Sequence, residues 1–220
     1  MPPRRRKRQH VDMTYLGPHA RWDPDEYTAW FNRNWDPENI RDLLAFAGAI
    51  LVAYELIKKR VVDDVLGFYC NGFDDTGFTY SVEYDTNVLA LCPVSVYRAS
   101  CKWLVESGAI TDEQVAVLDA LHEARGRMSH ELVGYLVDPS YTVRPGLLAD
   151  VRDVLRSLVV FWARIAMDTN PDFDHQDIAD EEIAAGDSLV FDQLLVVVAR
   201  LERTDPEEEV PTRAEGEPPG

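Results

Sequence analysis

The sequence has few of the residues on which disulfide-linked, zinc-binding and membrane-spanning proteins depend. Its three cysteines, Cys70, Cys92 and Cys101, form no C-x-x-C pair, so neither a disulfide framework nor a zinc site is indicated. No apolar run approaches the ~18 residues of a membrane-spanning helix, and no apolar segment follows the basic first residues as in a signal peptide. We therefore expect a soluble, cytoplasmic protein with reduced cysteines and no membrane association.

Several enzyme motifs are also missing. The chain has no glycine-rich phosphate loop, no H-E-x-x-H and no G-x-S-x-G, so the enzyme classes that carry these motifs are not indicated. Asp74 and Asp75 do not form the D-x-D-x-D-G loop of a calcium site. We expect neither a cofactor nor a metal.

Positive charge is scarce. The chain has 22 Lys and Arg against 39 Asp and Glu, a net charge of -17. Most of such a surface would repel a nucleic-acid duplex, which argues against a general coat protein, whereas an enzyme that cuts one RNA locally needs only a small basic spot. The ends differ from the middle: residues 1–20 are a basic arm and residues 204–220 a Pro- and Glu-rich tail, and we predict both to be disordered. The helical domain is predicted to span 21–203.

Apolar residues spaced three and four apart predict the helices of this domain. Asp23-Pro24 and Asp36-Pro37 are typical helix starts, and Thr111 with Gln114 forms a capping box. The predicted long helices cover about 37–69, 94–106, 111–137, 146–167 and 188–203. Turn residues followed by alternation over 71–84 predict a loop or short hairpin between helices. The expected fold is all-α, an up-and-down bundle of four to five helices with this insertion.

One segment of the third predicted helix departs from the apolar spacing. Arg125 lies on the apolar stripe at a position where a core residue is expected, so its guanidinium needs a partner. His130 follows five residues later, which on an ideal helix is about 140° of rotation. The two side chains would therefore share a face only if the helix were distorted, for which Gly126 is the plausible place, or they would converge across a dimer interface.

The run Ala-Arg-x-x-x-Ser-His-Glu-Leu, residues 124–132, resembles the R-x4-6-H motif of the HEPN superfamily. It departs from that motif at Gly126, where a polar residue commonly follows the arginine. Long helices before and after extend the resemblance to residues 36–203. The resemblance implies a helical bundle, a homodimer with the motif at its interface, and a metal-independent endoribonuclease of a toxin or phage-defence system.

The chemistry of RNA cleavage assigns roles within this resemblance. A histidine gains and loses protons near neutral pH, so His130 is the predicted acid/base, and Arg125 is the predicted phosphate clamp. Arg127 and Ser129 are predicted secondary substrate contacts. Glu55 is predicted to orient Arg125, because its neighbours Leu44, Leu51 and Val62 are expected to face inward and because a similar helical segment occurs in several HEPN families. Such a pair is poor evidence of catalysis by itself.

Other interpretations of the same residues remain open. Arg127 could pair with Glu123 or Glu131 on a solvated face, leaving His130 an ordinary surface residue. A HEPN-like domain could also be a non-catalytic RNA or nucleotide sensor, or the partner of an antitoxin or a nucleotidyltransferase. The last alternative is a helical scaffold in which the motif is accidental.

Overall fold

The computed structural model describes residues 22–144, 146–173 and 178–201, and these residues are mostly helical, which confirms the all-α class. The predicted basic arm and acidic tail lie outside the described residues. Short 3-10 turns occur at Leu89–Leu91, Pro171–Phe173 and Asp180–Glu182. The helices are α1 Pro24–Asn34, α2 Pro37–Lys58, α3 Asp64–Phe68, α4 Glu83–Asn87, α5 Val96–Glu106, α6 Asp112–His130, α7 Gly134–Val137, α8 Leu147–Asp168 and α9 Gly186–Leu201.

The three helix starts that the sequence marks with a cap are present at α1, α2 and α6. The Asp23 carboxylate accepts two backbone N–H groups of the first turn of α1, each at 3.1 Å. Asp36 does the same before α2, accepting the N–H of Glu38 at 2.8 Å. At α6 the capping box is complete, with Thr111 and Gln114 exchanging hydrogen bonds of 3.0 and 3.3 Å.

The described chain divides into two compact units, one of residues 22–40 and 133–142 and the other of residues 41–132 and 143–201. In the first unit the aromatic side chains of α1 and of Trp22 before it form the core: Trp22 and Trp30 are buried, and Tyr27 donates its hydroxyl to the Val137 carbonyl at 2.8 Å.

The second unit contains most of α2 and the long helices α5, α6, α8 and α9. Helix α8 packs against both α6 and α9. The core of the second unit consists of large apolar side chains with no solvent exposure or almost none. Each of the helices α2, α5, α6, α8 and α9 supplies at least one. They are Ile50, Ile57, Leu104, Leu118, Leu121, Leu148, Leu155, Leu158 and Phe191.

One helix ends earlier than predicted. The motif helix α6 stops at His130, and the short α7 follows as a separate turn, so the prediction of a helix to Val137 is wrong. Glycine is a weak helix former, and the Tyr141 ring packs so closely on Gly134 that a Cβ there would lie 2.8 Å from it.

The first long helix is interrupted by a π-helical turn, Lys59–Asp63, which inserts an extra residue between α2 and α3. Arg60 lies in this turn and pairs with Asp64 at 2.8 Å and with Asp187 of α9 at 2.7 Å. The carbonyl of Arg60 accepts a hydrogen bond from the Trp162 ring N–H at 3.1 Å.

The predicted insertion is an antiparallel hairpin of β1 (Cys70–Asp74) and β2 (Gly77–Tyr80). Gly77 has a φ of 120°, a conformation that glycine adopts readily. The rings of Phe73 and Phe78 lie 5.5 Å apart and are exposed.

Within the described residues, no single helix is long and apolar enough to cross a membrane, although α4 with the 3-10 turn after it and α5 pass that test as a bent pair.

Candidate functional site

The apolar stripe predicted for the motif helix is present in α6. Leu118, Leu121 and Met128 are buried along one side of the helix, and Arg125 lies half-buried between them. The helix is continuous through Gly126, so the glycine does not distort it. Arg125 is therefore a charged side chain on the inner face of a regular helix.

The guanidinium of Arg125 lies over an aromatic ring. Its Cζ is 5.5 Å from the centre of the Tyr54 ring, which belongs to α2, and this distance fits a cation–π interaction. Among the described residues, no carboxylate forms an ion pair with Arg125. Other arginines of the second unit do have carboxylate partners; these are Arg60, Arg98, Arg127, Arg144, Arg152 and Arg164.

Three rings from three helices surround this position. The His122 ring of α6 lies 5.6 Å from that of Tyr54 and 5.9 Å from that of Tyr97, in the first turn of α5. Tyr54 and Tyr97 are stacked at 6.3 Å. Burial raises the pKa of Tyr97, so its hydroxyl stays protonated. His122, by contrast with the half-buried Tyr97, is exposed. We call Tyr54, His122 and Arg125 the ring–arginine cluster.

The two rings of this cluster were not among the predicted site residues. One signal was available, because His122 precedes Arg125 by three residues and such residues are neighbours on a helix surface. The contact with Tyr54 was not available from the sequence, because it depends on how α2 packs against α6.

The structure does not bring Glu55 to Arg125. The Glu55 side chain is 62% exposed, and its carboxylate lies 3.8 Å from the Lys58 ammonium. The expectation that Leu44 and Leu51 face inward is also wrong, since they are 53% and 38% exposed. Helix α2 is apolar around most of its circumference, so the side that faces the core could not be read from its spacing. The partner of Arg125 on α2 is Tyr54.

The remaining predicted site residues lie near the end of α6. His130 is its last residue and is exposed, and Ser129 before it is exposed as well. Because the helix is regular, His130 and Arg125 point in different directions within one chain. Arg127 forms an ion pair with Glu123, one of the two pairings that the surface interpretation expects. The roles assigned to Arg125, His130, Arg127 and Ser129 stay predictions.

A groove of about 330 Å³ runs between α5 and α6. Its lining mixes cations and carboxylates, and Arg98 pairs there with Asp119 at 3.3 Å. Burial of Cys101 and the nearby charge of Asp119 raise the pKa of this thiol to about 12. The groove contains none of the predicted site residues, and its only cysteine is an unreactive one.

Across the described ranges, no three His, Cys, Asp or Glu side chains are grouped so that they could hold a metal ion. Comparisons of the chain with protein-family models, curated proteins and solved structures found no match.

Proposed function

We propose that this protein is a metal-independent endoribonuclease of a toxin or phage-defence system. The observation that carries the proposal is Arg125, a half-buried guanidinium held over Tyr54 without a carboxylate partner in the described structure. In a chain of net charge -17, a cation that is not neutralised by a carboxylate is available to an anionic ligand. A phosphodiester offers the planar pair of oxygens that a guanidinium binds best.

The proposed reaction needs no metal. The 2′-hydroxyl loses a proton and attacks the adjacent phosphorus, the bond from phosphorus to the 5′-oxygen breaks, and that oxygen takes up a proton. Arg125 stabilises the charge on the phosphoryl oxygens and His130 transfers the proton. Arg127 and Ser129 are proposed to contact the flanking backbone, with release of Arg127 from Glu123 on binding.

A homodimer is part of this proposal. Arg125 and His130 point apart within one regular helix, so one phosphate is proposed to meet Arg125 of one copy and His130 of the other. This arrangement is the one that the HEPN resemblance implies. We also place the protein and its RNA in the cytoplasm.

The experiment is incubation of the purified full-length protein with total RNA in EDTA. We expect cleavage by the parent and by Lys58→Ala, a control that removes an exposed cation, and at least about a hundredfold slower cleavage by His130→Ala. A folded His130→Ala protein that cuts RNA at the parent rate, or a parent that requires a divalent metal, would refute the mechanism.

One observation favours a second candidate, a non-catalytic module that binds RNA or nucleotides or partners an antitoxin or a nucleotidyltransferase. His130 is exposed at the end of α6 and, within the described structure, forms no hydrogen bond or ion pair that would orient it. Binding of RNA without any cleavage in EDTA or in magnesium would support this candidate against the first.

A further inference from the structure

We propose that the ring–arginine cluster is a subsite for one unstacked nucleobase and its adjoining phosphate in single-stranded RNA. In this subsite the base stacks on the exposed His122 ring, and Arg125 binds the phosphate. Tyr54 is a positioning residue, and its ring contacts both the His122 ring and the Arg125 guanidinium. The inference rests on the proposed action on RNA, but it concerns binding and involves residues with no part in the proton transfer.

The exposure of the rings favours stacking of a base on His122. His122 is exposed, whereas Tyr54 and Tyr97 are half-buried beneath it at 5.6 and 5.9 Å. The imidazole thus lies against two rings while His122 itself remains exposed, so part of the ring is accessible to a base. Bases of single-stranded RNA stack on aromatic and histidine rings in this way, and any base offers a suitable face.

The position of Arg125 fits a contact with the phosphate of a base that is stacked on His122. His122 and Arg125 are three residues apart on α6, and both lie against the same Tyr54 ring, at 5.6 and 5.5 Å. A base on His122 would therefore carry its phosphate towards Arg125. This pairing of a ring with a cation is the combination that proteins use to hold single-stranded nucleic acid.

Base stacking and charge both favour a single strand over a duplex. In a duplex the bases are stacked on each other, so neither of their faces is free for His122. The acidic surface of the protein also repels the dense charge of a duplex more than that of a single strand. Single-stranded RNA is therefore the preferred ligand.

The test measures binding with a strand that cannot be cut. A fluorescent 12-nucleotide RNA with 2′-O-methyl groups has no free 2′-hydroxyl, so its anisotropy reports binding apart from cleavage. We expect the single strand to bind at least about tenfold more tightly than the same sequence as a duplex. Equal or tighter binding of the duplex would overturn the proposal.

The variants separate stacking from other roles of His122. His122→Ala should weaken binding about five- to hundredfold, the range for the loss of one base–ring stack, and His122→Phe should restore most of it. Tyr54→Leu should weaken binding and Tyr54→Phe should not. Phe73→Ala, which removes another exposed ring, from the hairpin, is the matched control and should bind as the parent does.

The salt dependence identifies the phosphate contact. Arg125→Gln should lower the slope of log affinity against log salt by about 0.7, the value for one phosphate of a single strand, and His122→Ala should leave the slope unchanged. Equal binding by His122→Ala and Phe73→Ala, failure of His122→Phe to restore binding, or competition by a nucleoside monophosphate as strong as by the strand would overturn the proposal. Loss of cleavage with this binding intact would contradict only the ribonuclease mechanism.

Discussion

At the scale of single residues, the acidity of the chain makes each unpaired cation informative. In the second unit, Arg60, Arg98 and Arg152 each form an ion pair with a carboxylate. Arg125 instead has a ring for a partner, and a ring leaves the outer edge of the guanidinium free for a second ligand. The same partner also determines what the side chain contributes to stability.

Replacing Arg125 with alanine should therefore cost less than the loss of a buried ion pair. A cation–π contact contributes about 0.5 to 2 kcal/mol, against roughly 3 to 5 kcal/mol for a buried pair that is broken on one side. For a chain of this size we expect Tm to fall by less than about 8 °C in calorimetry. A loss of more than about 3 kcal/mol, relative to an Arg144→Ala control, would show that a buried carboxylate depends on Arg125.

The cysteines provide an independent measure of burial. Cys70 is exposed and Cys101 is 4% exposed, with the pKa of Cys101 raised to about 12 by burial and by the nearby Asp119. At pH 8 only about one Cys101 in ten thousand is a thiolate, the reactive form. We expect a thiol reagent to modify Cys70 rapidly and Cys101 only after unfolding, as followed by mass spectrometry. Cys70→Ser should remove the rapid phase; rapid labelling of Cys101 in the native protein would contradict its burial.

How far the sequence predicts the site depends on whether the interaction is local. The caps at Asp23 and Thr111 were predictable, because each interaction spans three residues. The inner face of α6 was also predictable from its spacing. Tyr54 and Arg125 are 71 positions apart in the sequence. Their contact depends on how two helices pack, which the local spacing of residues does not reveal. Glu55, beside Tyr54, was chosen in its place because its charge complements that of Arg125.

At the scale of elements, a π-helical turn separates α2 from α3. The inserted residue rotates α3 relative to α2, and it places Arg60 where it pairs with Asp64 and with Asp187 of α9. The three side chains are 18 to 24% exposed, so these charges are shielded from water more than those of the surface pairs. An ion pair thus connects the π-helical turn to α9, the last described helix.

Arg60→Ala should consequently be among the more destabilising replacements of a charged residue. Removing one partner of a mostly buried network leaves two carboxylates close together, and we expect a loss of about 2 to 3 kcal/mol in urea unfolding. Arg152→Ala is the matched control. It breaks a pair with Asp192 in which both side chains are more than 40% exposed, and it should cost less than about 1 kcal/mol. Equal losses for the two variants would contradict the structural role of the π-helical turn.

At the scale of the whole molecule, apolar exposure and net charge have opposite effects on self-association. Leu44, Leu51 and Val52 are exposed apolar residues of α2, and we call them the α2 strip. Leu51 lies three residues before Tyr54 on the same helix, so a second copy bound there would approach the ring–arginine cluster. The charge of -17 on each copy opposes such an approach.

The last prediction is a homodimer that forms through the α2 strip and is stabilised by salt. Burying the strip removes apolar surface from water at about 25 cal/mol per Å², and salt screens the repulsion between two acidic copies over roughly 8 to 10 Å. Light scattering should therefore give a mass that rises towards the dimer with micromolar protein and with salt from 0.05 to about 0.5 M. Leu51→Glu with Val52→Glu should give a monomer of unchanged helicity, whereas Phe73→Glu, which adds charge at an exposed ring of the hairpin, should still dimerise. A parent that stays monomeric at every salt concentration would exclude the dimer. It would also exclude a reaction that uses Arg125 of one copy and His130 of the other.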